Sequence, residues 1–312
     1  MEAAKAAPRL GVIGLGAMGG PMARNLAKAG YEVCGFDLDA TRVQACVAAG
    51  VSAAEDVGQV VAGSDVVLTS LPSSEAFVQL AETHLLPLAR AGQIFIDLGT
   101  VTPPETRRLA AALAQKGASL IDAPVSGGPS GAESGTLRMF IGGDPVVAER
   151  CRPIFEVLGD PQHTAYCGPA GNGQIVKGVN QLAMGLGAAA YLEAVAFGIR
   201  AGVDPQAIRT AVGGSGGPGD WRAYVDLIAR RAAEGEAEEV GVKFRELPYF
   251  LREAESHGLA LPLTRALYDF CDAGERVVVD DNRPAPSFWH ELLKGAPSPL
   301  RGEGAGGVRG VT

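Results

Sequence analysis

The feature that most constrains the fold is a glycine-rich link between a short apolar run and an amphipathic stretch. Residues 9–13 predict a buried strand and residues 18–29 a helix, and the link between them has the pattern GxGxxG. At such a link the first glycine permits a tight turn, the second lets the backbone approach a pyrophosphate, and the third lets helix and strand pack closely. The helix N-terminus adds N–H donors and the positive end of the helix dipole. The segment therefore predicts a dinucleotide-binding loop, made of Gly14, Leu15, Gly16, Ala17, Met18 and Gly19.

Short apolar runs continue to alternate with helical patterns through the first half of the chain. Runs rich in Val, Ile, Leu and Phe predict strands at 9–13, 31–36, 65–70, 93–97 and 119–122. The intervening segments predict helices at 18–29, 40–49, 74–80 and 104–116. Such alternation implies βαβ units, and hence a parallel sheet covered on both faces. We predict an α/β fold with a Rossmann-type doubly wound sheet, which strands at 137–141 and 164–167 extend.

After Pro169 the pattern becomes helical, with predicted helices at 174–201, 221–233, 243–257 and 262–273. The stretch 181–199 carries one charge but consists largely of Ala and Gly, so a helix buried in protein is favoured over a membrane span. These patterns predict a dinucleotide-binding domain over residues 1–169 and an all-helical substrate and oligomerisation domain over residues 170–294. Residues 295–312 have too few apolar side chains to pack, so we predict a disordered tail.

Charge and cysteine usage exclude several kinds of function. The formal net charge is −8 and the pI about 5.1, which argues against a nucleic-acid partner. The five cysteines form no CxxC pair and have no metal-ligand spacing to the four histidines, so no metal site is expected. Free thiols, together with an N-terminus that lacks the apolar core of a signal peptide, predict a cytoplasmic protein.

Asp37 ends the second predicted strand, 23 residues after Gly14. An acidic residue at this point of a dinucleotide-binding unit hydrogen-bonds the ribose hydroxyls of NAD. The alternative interpretation is that Asp37 is only a turn residue and binds no ligand. A carboxylate here repels a 2′-phosphate, so NAD is expected and NADP is the less favoured cofactor, although Arg42 leaves NADP open.

Several motifs, in the same order, resemble those of the 3-hydroxyisobutyrate dehydrogenase or β-hydroxyacid dehydrogenase family, within the 6-phosphogluconate dehydrogenase-like superfamily. The resemblance begins with VIGLGAMGGPMARNLAKAG at residues 12–30. It continues at 71–72, 97–100, 122–128 and 173–181, and covers about residues 9–294. Agreement of motifs over this length is far more specific than any one motif.

The resemblance implies a role for each matching residue. Leu71 and Pro72 correspond to the loop beside the adenosine half of the cofactor, and Thr100 to a residue near the nicotinamide. Lys177 corresponds to the catalytic lysine. The residues that the resemblance assigns to a small carboxylate-bearing substrate are Ser126, Gly127, Gly128, Asn180 and Gln181.

Lys177 also suits this chemistry when it is considered without the resemblance. Interconversion of an alcohol and a carbonyl needs a proton donor and acceptor at the oxygen while hydride moves to or from a nicotinamide. A lysine in an apolar cleft can serve, and Asn180 lies on the same helix face at i+3. The alternative is a lysine that extends from the start of a buried helix to solvent. The residues alone do not separate the two interpretations.

The chain departs from the family pattern at two places. Leu98 and Gly99 stand where relatives carry hydroxyl side chains. The resemblance matches a later Lys-Asp pair, near the nicotinamide in relatives, to Arg245 and Glu246, with Lys243 as the alternative register. Arg245 is therefore included among the predicted cofactor residues.

The expected function is hydride transfer between NAD(H) and a small 3-hydroxy acid or its semialdehyde, with Lys177 as acid/base. The alternatives are a reductase of glyoxylate, succinic semialdehyde or tartronate semialdehyde, and a non-catalytic dinucleotide sensor. The long predicted helix has more apolar circumference than a small helical domain can cover, so a homodimer or homotetramer is expected.

Overall fold

The structure is a computed structural model that describes residues 7–214 and 246–270, together with residues 223, 226–228, 230 and 234. The chain divides into two compact units, Met1–Asn180 and Gln181–Thr312. The domain boundary predicted at residue 169 precedes the helix in which these units divide, and it stays a prediction.

The first unit is built on a nine-stranded sheet. Its strands are β1 (Leu10–Ile13), β2 (Val33–Phe36), β3 (Ser52–Ala53), β4 (Val66–Thr69), β5 (Ile94–Asp97), β6 (Ser119–Asp122), β7 (Val125–Ser126), β8 (Leu137–Gly142) and β9 (Gly159–Gly168). The first six strands are parallel in the order β3-β2-β1-β4-β5-β6, the order of a dinucleotide-binding sheet. Strand β8 then runs antiparallel to β6 and β7, and β9 runs parallel to β8.

Helices connect these strands. They are α1 (Gly19–Lys28), α2 (Ala40–Val47), α3 (Val57–Gly63), α4 (Ser74–Leu80), a π-helical turn (Ala81–Leu85), α5 (Leu86–Leu88), α6 (Pro103–Ala114), α7 (Gly128–Ser134) and α8 (Pro145–Leu158). Side chains cap several N-termini, because a carboxylate or hydroxyl oxygen accepts from N–H groups that have no helical partner. The capping residues are Asp39, Asp56, Ser73 and Asp144.

The sheet separates two hydrophobic cores. Alternate residues of a strand point to opposite faces, so Ile94 and Ile96 of β5 belong to one core and Phe95 to the other. Residues of α1 and α8 complete the first core, and residues of α3 and α6 complete the second. The sheet is therefore doubly wound, as predicted.

The described part of the second unit is helical. The helix α9 (Asn172–Arg200) begins in the first unit and is followed by α10 (Pro205–Val212), α11 (Leu247–Ser256) and α12 (Pro262–Phe270). Within the described residues, none of the helices has the length and hydropathy that crossing a membrane requires. Most of the predicted helix 221–233, Arg245 and the tail 295–312 lie outside the described residues.

The predicted α/β architecture is confirmed, and the main differences concern short elements. Strand β3 has two residues, both exposed, and so shows no apolar run. Helix α7 consists largely of Gly, Pro and Ser and follows β7 directly, so it lacks helical periodicity. Helix α8 carries Pro153 in its interior, a residue that is typical of helix ends. These elements were not predicted.

Candidate active site

The glycine-rich loop lies where β1, β4 and α1 meet, at the carboxyl ends of the two strands. Gly14 has a φ of 91°, and a Cβ there would overlap the carbonyl oxygen of Ser70. A Cβ at Gly19 would overlap the carbonyl oxygen of Gly14. A Cβ at Gly16 would meet nothing closer than Arg42 Nη1 at 3.6 Å. Gly14 and Gly19 are therefore required by the fold itself, whereas the open face at Gly16 is available to a ligand.

Asp37 follows β2 and bonds to the glycine-rich loop. Its Oδ2 accepts from the Leu15 N–H at 2.7 Å, and its Oδ1 accepts from the Asp39 N–H at 2.9 Å. Arg42 Nη1 lies 3.7 Å from Asp37 Oδ1, and the Asp37 side chain is 9% exposed. A carboxylate has about four acceptor positions, so each oxygen can accept a further hydrogen bond from a ribose hydroxyl.

The other predicted cofactor residues follow β4 and β5, the next strands in the sheet. Leu71 is half-buried against the core, Pro72 is exposed and Thr100 is half-buried. Because β4 and β5 are parallel neighbours, the loops at their carboxyl ends lie on the same edge of the sheet as the glycine-rich loop. Ala17 and Met18 complete that loop, exposed and half-buried respectively.

Lys177 and Asn180 reach from α9 to the segment that begins with β7. Lys177 is 8% exposed, and its Nζ donates to the carbonyl oxygen of Val125 at 2.7 Å. Asn180 Nδ2 donates to Ser126 Oγ at 3.3 Å. Gly127 and Gly128 follow with φ values of 133° and 62°, a backbone conformation that glycine adopts without strain. The structure thus brings together five of the residues that were predicted for catalysis and substrate binding.

The start of α9 is held by Asp122, a residue to which the sequence assigned no role of its own. Asp122 is completely buried at the end of β6. Its Oδ1 accepts from the Gly171 N–H at 2.9 Å and its Oδ2 from the Gln174 N–H at 3.1 Å. Burial raises the pKa of Asp122, while these backbone donors oppose the rise. A buried carboxylate at this helix start also lies at the positive end of the helix dipole.

A second buried carboxylate, Asp97, lies directly across from Asp122 on β5. Its Oδ1 accepts from Thr69 Oγ1 at 3.0 Å and from the Gly99 N–H at 3.2 Å. Burial raises the pKa of Asp97 to about 7, and the charge of Asp122 adds to the rise. An acidic residue at the end of an otherwise apolar strand was the available sequence signal for both carboxylates.

Two nominated residues are not connected to this arrangement. Gln181 is buried, and its Oε1 has no hydrogen-bond partner within the part of the chain that the structure describes. Arg245 lies outside the described residues. In that same described part, no three His, Cys, Asp or Glu side chains group as metal ligands would.

The fold and the site define a Rossmann-type protein of the dinucleotide-binding class. Two family models match the chain: the NAD binding domain of 6-phosphogluconate dehydrogenase over residues 9–168, and the NAD-binding domain of NADP-dependent 3-hydroxyisobutyrate dehydrogenase over residues 171–282. The chain belongs to the 3-hydroxyisobutyrate dehydrogenase family of NAD-binding hydroxyacid dehydrogenases.

Similar proteins have related names. A 2-(hydroxymethyl)glutarate dehydrogenase of Eubacterium barkeri is 39% identical over 295 residues, covering 91% of this chain and 95% of that protein. A 2-hydroxy-3-oxopropionate reductase of Escherichia coli K12 is 32% identical, covering 85% and 91%. A solved structure of Mycobacterium tuberculosis 3-hydroxyisobutyrate dehydrogenase with L-serine has a TM-score of 0.74 at 27% identity, covering 92% and 99%.

Proposed function

We propose that this protein transfers a hydride between NAD(H) and a 2-substituted 3-hydroxypropionate or its semialdehyde, with Lys177 as the acid/base. The observation that carries this proposal is the group formed by Lys177, Asn180 and the β7 segment. A lysine that is almost completely buried needs a polar environment, and here its ammonium bonds to Val125 O while Asn180 bonds to Ser126.

The proposed roles follow from the chemistry of each group. When bound, NAD(H) accepts or supplies the hydride. The Ser126 hydroxyl and the N–H groups of Gly127 and Gly128 bind the substrate carboxylate. Asn180 and Gln181 orient the substrate hydroxyl. Lys177 Nζ, as the neutral amine, takes the hydroxyl proton during oxidation, and as the ammonium it gives a proton to the carbonyl oxygen during reduction. The hydrogen bond to Val125 O fixes the direction of the Lys177 side chain.

The cofactor site uses the glycine-rich loop and the loops after β2, β4 and β5. The backbone at Gly16, where a Cβ would meet only Arg42 Nη1 at 3.6 Å, would approach the pyrophosphate. The Asp37 carboxylate would accept from the ribose hydroxyls, which favours NAD over NADP. Leu71 and Pro72 would bound the adenosine half, and Thr100 would contact the nicotinamide end. Arg245 is retained as a further cofactor residue on the resemblance alone.

The substrate class follows from what the relatives' names share. Hydroxymethylglutarate, hydroxyisobutyrate and serine each carry a hydroxymethyl group on the carbon that bears the carboxylate, and they differ in the second substituent of that carbon. A site with a carboxylate-binding segment and a lysine at the hydroxyl fits this shared part. The second substituent determines specificity among them.

Turnover by the purified protein tests the proposal. 3-Hydroxyisobutyrate, serine, glycerate and 2-(hydroxymethyl)glutarate are offered with NAD⁺, and glyoxylate, succinic semialdehyde and tartronate semialdehyde with NADH. Lys177→Ala should reduce kcat by about 10²–10⁴-fold, the effect of a positioned proton donor, while NADH binding persists. Lys177→Arg should fail as well, because a guanidinium does not release its proton.

Lys116→Ala is the matched control, since Lys116 is exposed at the end of the segment after α6. Its kcat should equal that of the unaltered protein. A folded, NADH-binding Lys177→Ala protein with unchanged kcat would remove Lys177 from the mechanism. Binding of NADH without turnover of any compound would instead support the dinucleotide sensor.

A semialdehyde reductase is the second candidate. It is favoured by the similarity to the Escherichia coli 2-hydroxy-3-oxopropionate reductase, which covers most of both chains. The same residues serve, because reduction of a semialdehyde is the reverse of the proposed oxidation. Comparing kcat/KM for tartronate semialdehyde with kcat/KM for the semialdehyde of 3-hydroxyisobutyrate, both measured with NADH at one pH, separates the candidates.

We further propose a cytoplasmic, homo-oligomeric enzyme. The four cysteines in the described part of the chain, Cys34, Cys46, Cys151 and Cys167, are free thiols. Free thiols suit a reducing compartment.

A further inference from the structure

Gln174 is a completely buried polar side chain on the first turn of α9. It lies three residues before Lys177 and six before Asn180, so the three residues share a face of the helix. Burial alone would favour an apolar side chain of the same size at this position. An unsatisfied amide in the interior is costly, so the hydrogen bonds of Gln174 decide whether its amide is tolerated there.

The Gln174 amide bonds to the main chain on both sides of Thr100. Its Oε1 accepts from the Val101 N–H at 3.1 Å, and its Nε2 donates to the Gly99 carbonyl oxygen at 3.0 Å. The side chain thus pairs with the loop after β5 as a neighbouring strand would. Both main-chain groups are satisfied through a single residue 73 and 75 positions away in the sequence.

The same helix turn is anchored to two other strands. The Gln174 N–H donates to Asp122 at the end of β6, and Lys177 Nζ donates to Val125 O in β7. The loop that contains Thr100 and the ammonium of Lys177 are therefore connected through less than one turn of helix. Because this connection is so short, a shift of the loop and a shift of α9 are coupled.

We propose that Gln174 is a positioning residue that sets the Thr100 loop, and with it the nicotinamide, against the Lys177 ammonium. This inference rests on the proposed function, in which Thr100 contacts the nicotinamide and Lys177 holds the proton. Hydride and proton transfer must meet at one carbon–oxygen bond, and a misplacement of about 1 Å can cost about 10²-fold in rate. Two hydrogen bonds from one amide restrict the distance between the Thr100 loop and the Lys177 ammonium more than a single hydrogen bond would.

Two substitutions test the role in different ways. Gln174→Leu removes both hydrogen bonds at similar volume. Gln174→Glu keeps an acceptor for the Val101 N–H but places an oxygen against the Gly99 carbonyl, which is repulsive unless the carboxyl group is protonated. Asn172→Ala is the matched control, because Asn172 lies on the same turn but its Nδ2 donates to Cys167 O at 2.9 Å instead of to the Thr100 loop.

Gln174→Leu should lower kcat by about 10–100-fold and leave the substrate KM within about threefold of the unaltered value. The primary isotope effect measured with NADH deuterated at the transferred position should rise, because hydride transfer becomes the slow step. Gln174→Glu should regain activity as the pH falls and the carboxyl group becomes protonated. Asn172→Ala should leave kcat and the isotope effect unchanged.

A purely structural role predicts different results. Loss of stability alone would reduce the active fraction, with an unchanged isotope effect and no new pH dependence in Gln174→Glu, and either result would overturn the proposal. If Gln174→Leu does not fold, the pH profile of Gln174→Glu distinguishes the positioning role from the purely structural one. The unaltered protein is assayed first with the substrate panel, and absence of turnover there contradicts the proposed function. If the unaltered protein turns over a substrate and the Gln174 variants have the same kcat and isotope effect, this inference alone is wrong.

Discussion

Asp37 would combine two tasks, because the carboxylate that accepts from the Leu15 N–H at 2.7 Å is also the group that we propose for binding the ribose. A 2′-phosphate at this point would bring two negative charges together in a site where Asp37 is only 9% exposed. We expect kcat/KM with NAD to exceed that with NADP by about tenfold or more, which corresponds to about 1.4 kcal/mol. Asp37→Asn should narrow the ratio, since an amide removes the charge.

Asp39→Asn is the control for this comparison. Asp39 is in the same loop, but its side chain is 48% exposed and caps α2. An asparagine caps a helix about as well as an aspartate. The cofactor ratio should therefore change little in Asp39→Asn, and a preference for NADP in the unaltered protein would contradict the role of Asp37.

Asp97 predicts a pH dependence of stability. Its pKa in the folded protein is about 7, above the ordinary value of 3.8 that it has when unfolded. Between these values the folded state binds the proton and the unfolded state does not, so the contribution of Asp97 to the free energy of unfolding falls as the pH rises through this range. Above about pH 7 the contribution is lost, because the buried side chain then carries a charge.

Asp97→Asn should remove this slope, because an amide does not titrate. The difference in unfolding free energy between the two proteins, measured by urea titration from pH 5 to 8, should change by an amount on the order of one to a few kcal/mol. At pH 8 the variant should be at least as stable as the unaltered protein. A difference that is constant across this range would mean that Asp97 is charged throughout.

At the scale of elements, two glycines of the glycine-rich loop have different tasks: Gly19 allows α1 to pack on β1, and Gly16 leaves room for a ligand. Gly19→Ala places a methyl group on the Gly14 carbonyl oxygen and should push α1 away from β1. Such overpacking typically costs about 1–3 kcal/mol. The methyl group of Gly16→Ala meets only Arg42 Nη1 at 3.6 Å, so the stability of this variant should be unchanged, while the methyl group would occupy the space proposed for the pyrophosphate.

Thermal unfolding and NADH titration of the two variants measure this separation. Gly19→Ala should lower the Tm by about 2–4 °C for each kcal/mol lost. Gly16→Ala should keep its Tm and weaken NADH binding by about tenfold or more, as expected when backbone approach to the phosphates is blocked. A Gly16→Ala protein that binds NADH normally would show that the pyrophosphate lies elsewhere.

The elements that the sequence predicted are those with a pattern that burial imposes. Strands β1, β4 and β5 are buried on both faces, so each appears as a largely apolar run, with polar Thr69 and Asp97 only at the ends of β4 and β5. The two exposed residues of β3 and the small residues of α7 have no such pattern, and they emerge only when neighbouring elements provide partners. Local sequence therefore predicts the central parallel strands, but it does not predict short peripheral elements such as β3 and α7.

The same limit applies to the site. The glycine-rich loop and Asp37 are predictable because their spacing lies within one βαβ unit. The hydrogen bond that the Gln174 N–H donates to Asp122 and the one that the Val101 N–H donates to Gln174 Oε1 join residues 52 and 73 positions apart, and no local pattern relates them. The prediction that Lys177 is catalytic depends on the resemblance, since the residues alone left an acid/base role and a lysine that extends to solvent equally open.

At the scale of the whole molecule, the remaining prediction concerns assembly. Helix α9 has 29 residues, and it presents apolar side chains to solvent: Val179 is 62% exposed and Met184 is 47% exposed. Exposed apolar side chains on a long helix of low charge are typical of a surface that another copy of the chain covers. We therefore expect a homodimer or homotetramer in which α9 contributes to the contact.

Sedimentation velocity at micromolar concentration measures the assembly, and Val179→Lys tests the contribution of α9. Burying a lysine charge in an apolar contact is unfavourable, so this variant should shift the distribution towards monomer. Val212→Lys is the control, because Val212 is a comparably exposed valine at 42% but ends α10 instead of lying on α9. Its assembly should match that of the unaltered protein. A monomeric unaltered chain would contradict the assembly, and an oligomer equally insensitive to both substitutions would place the contact away from Val179.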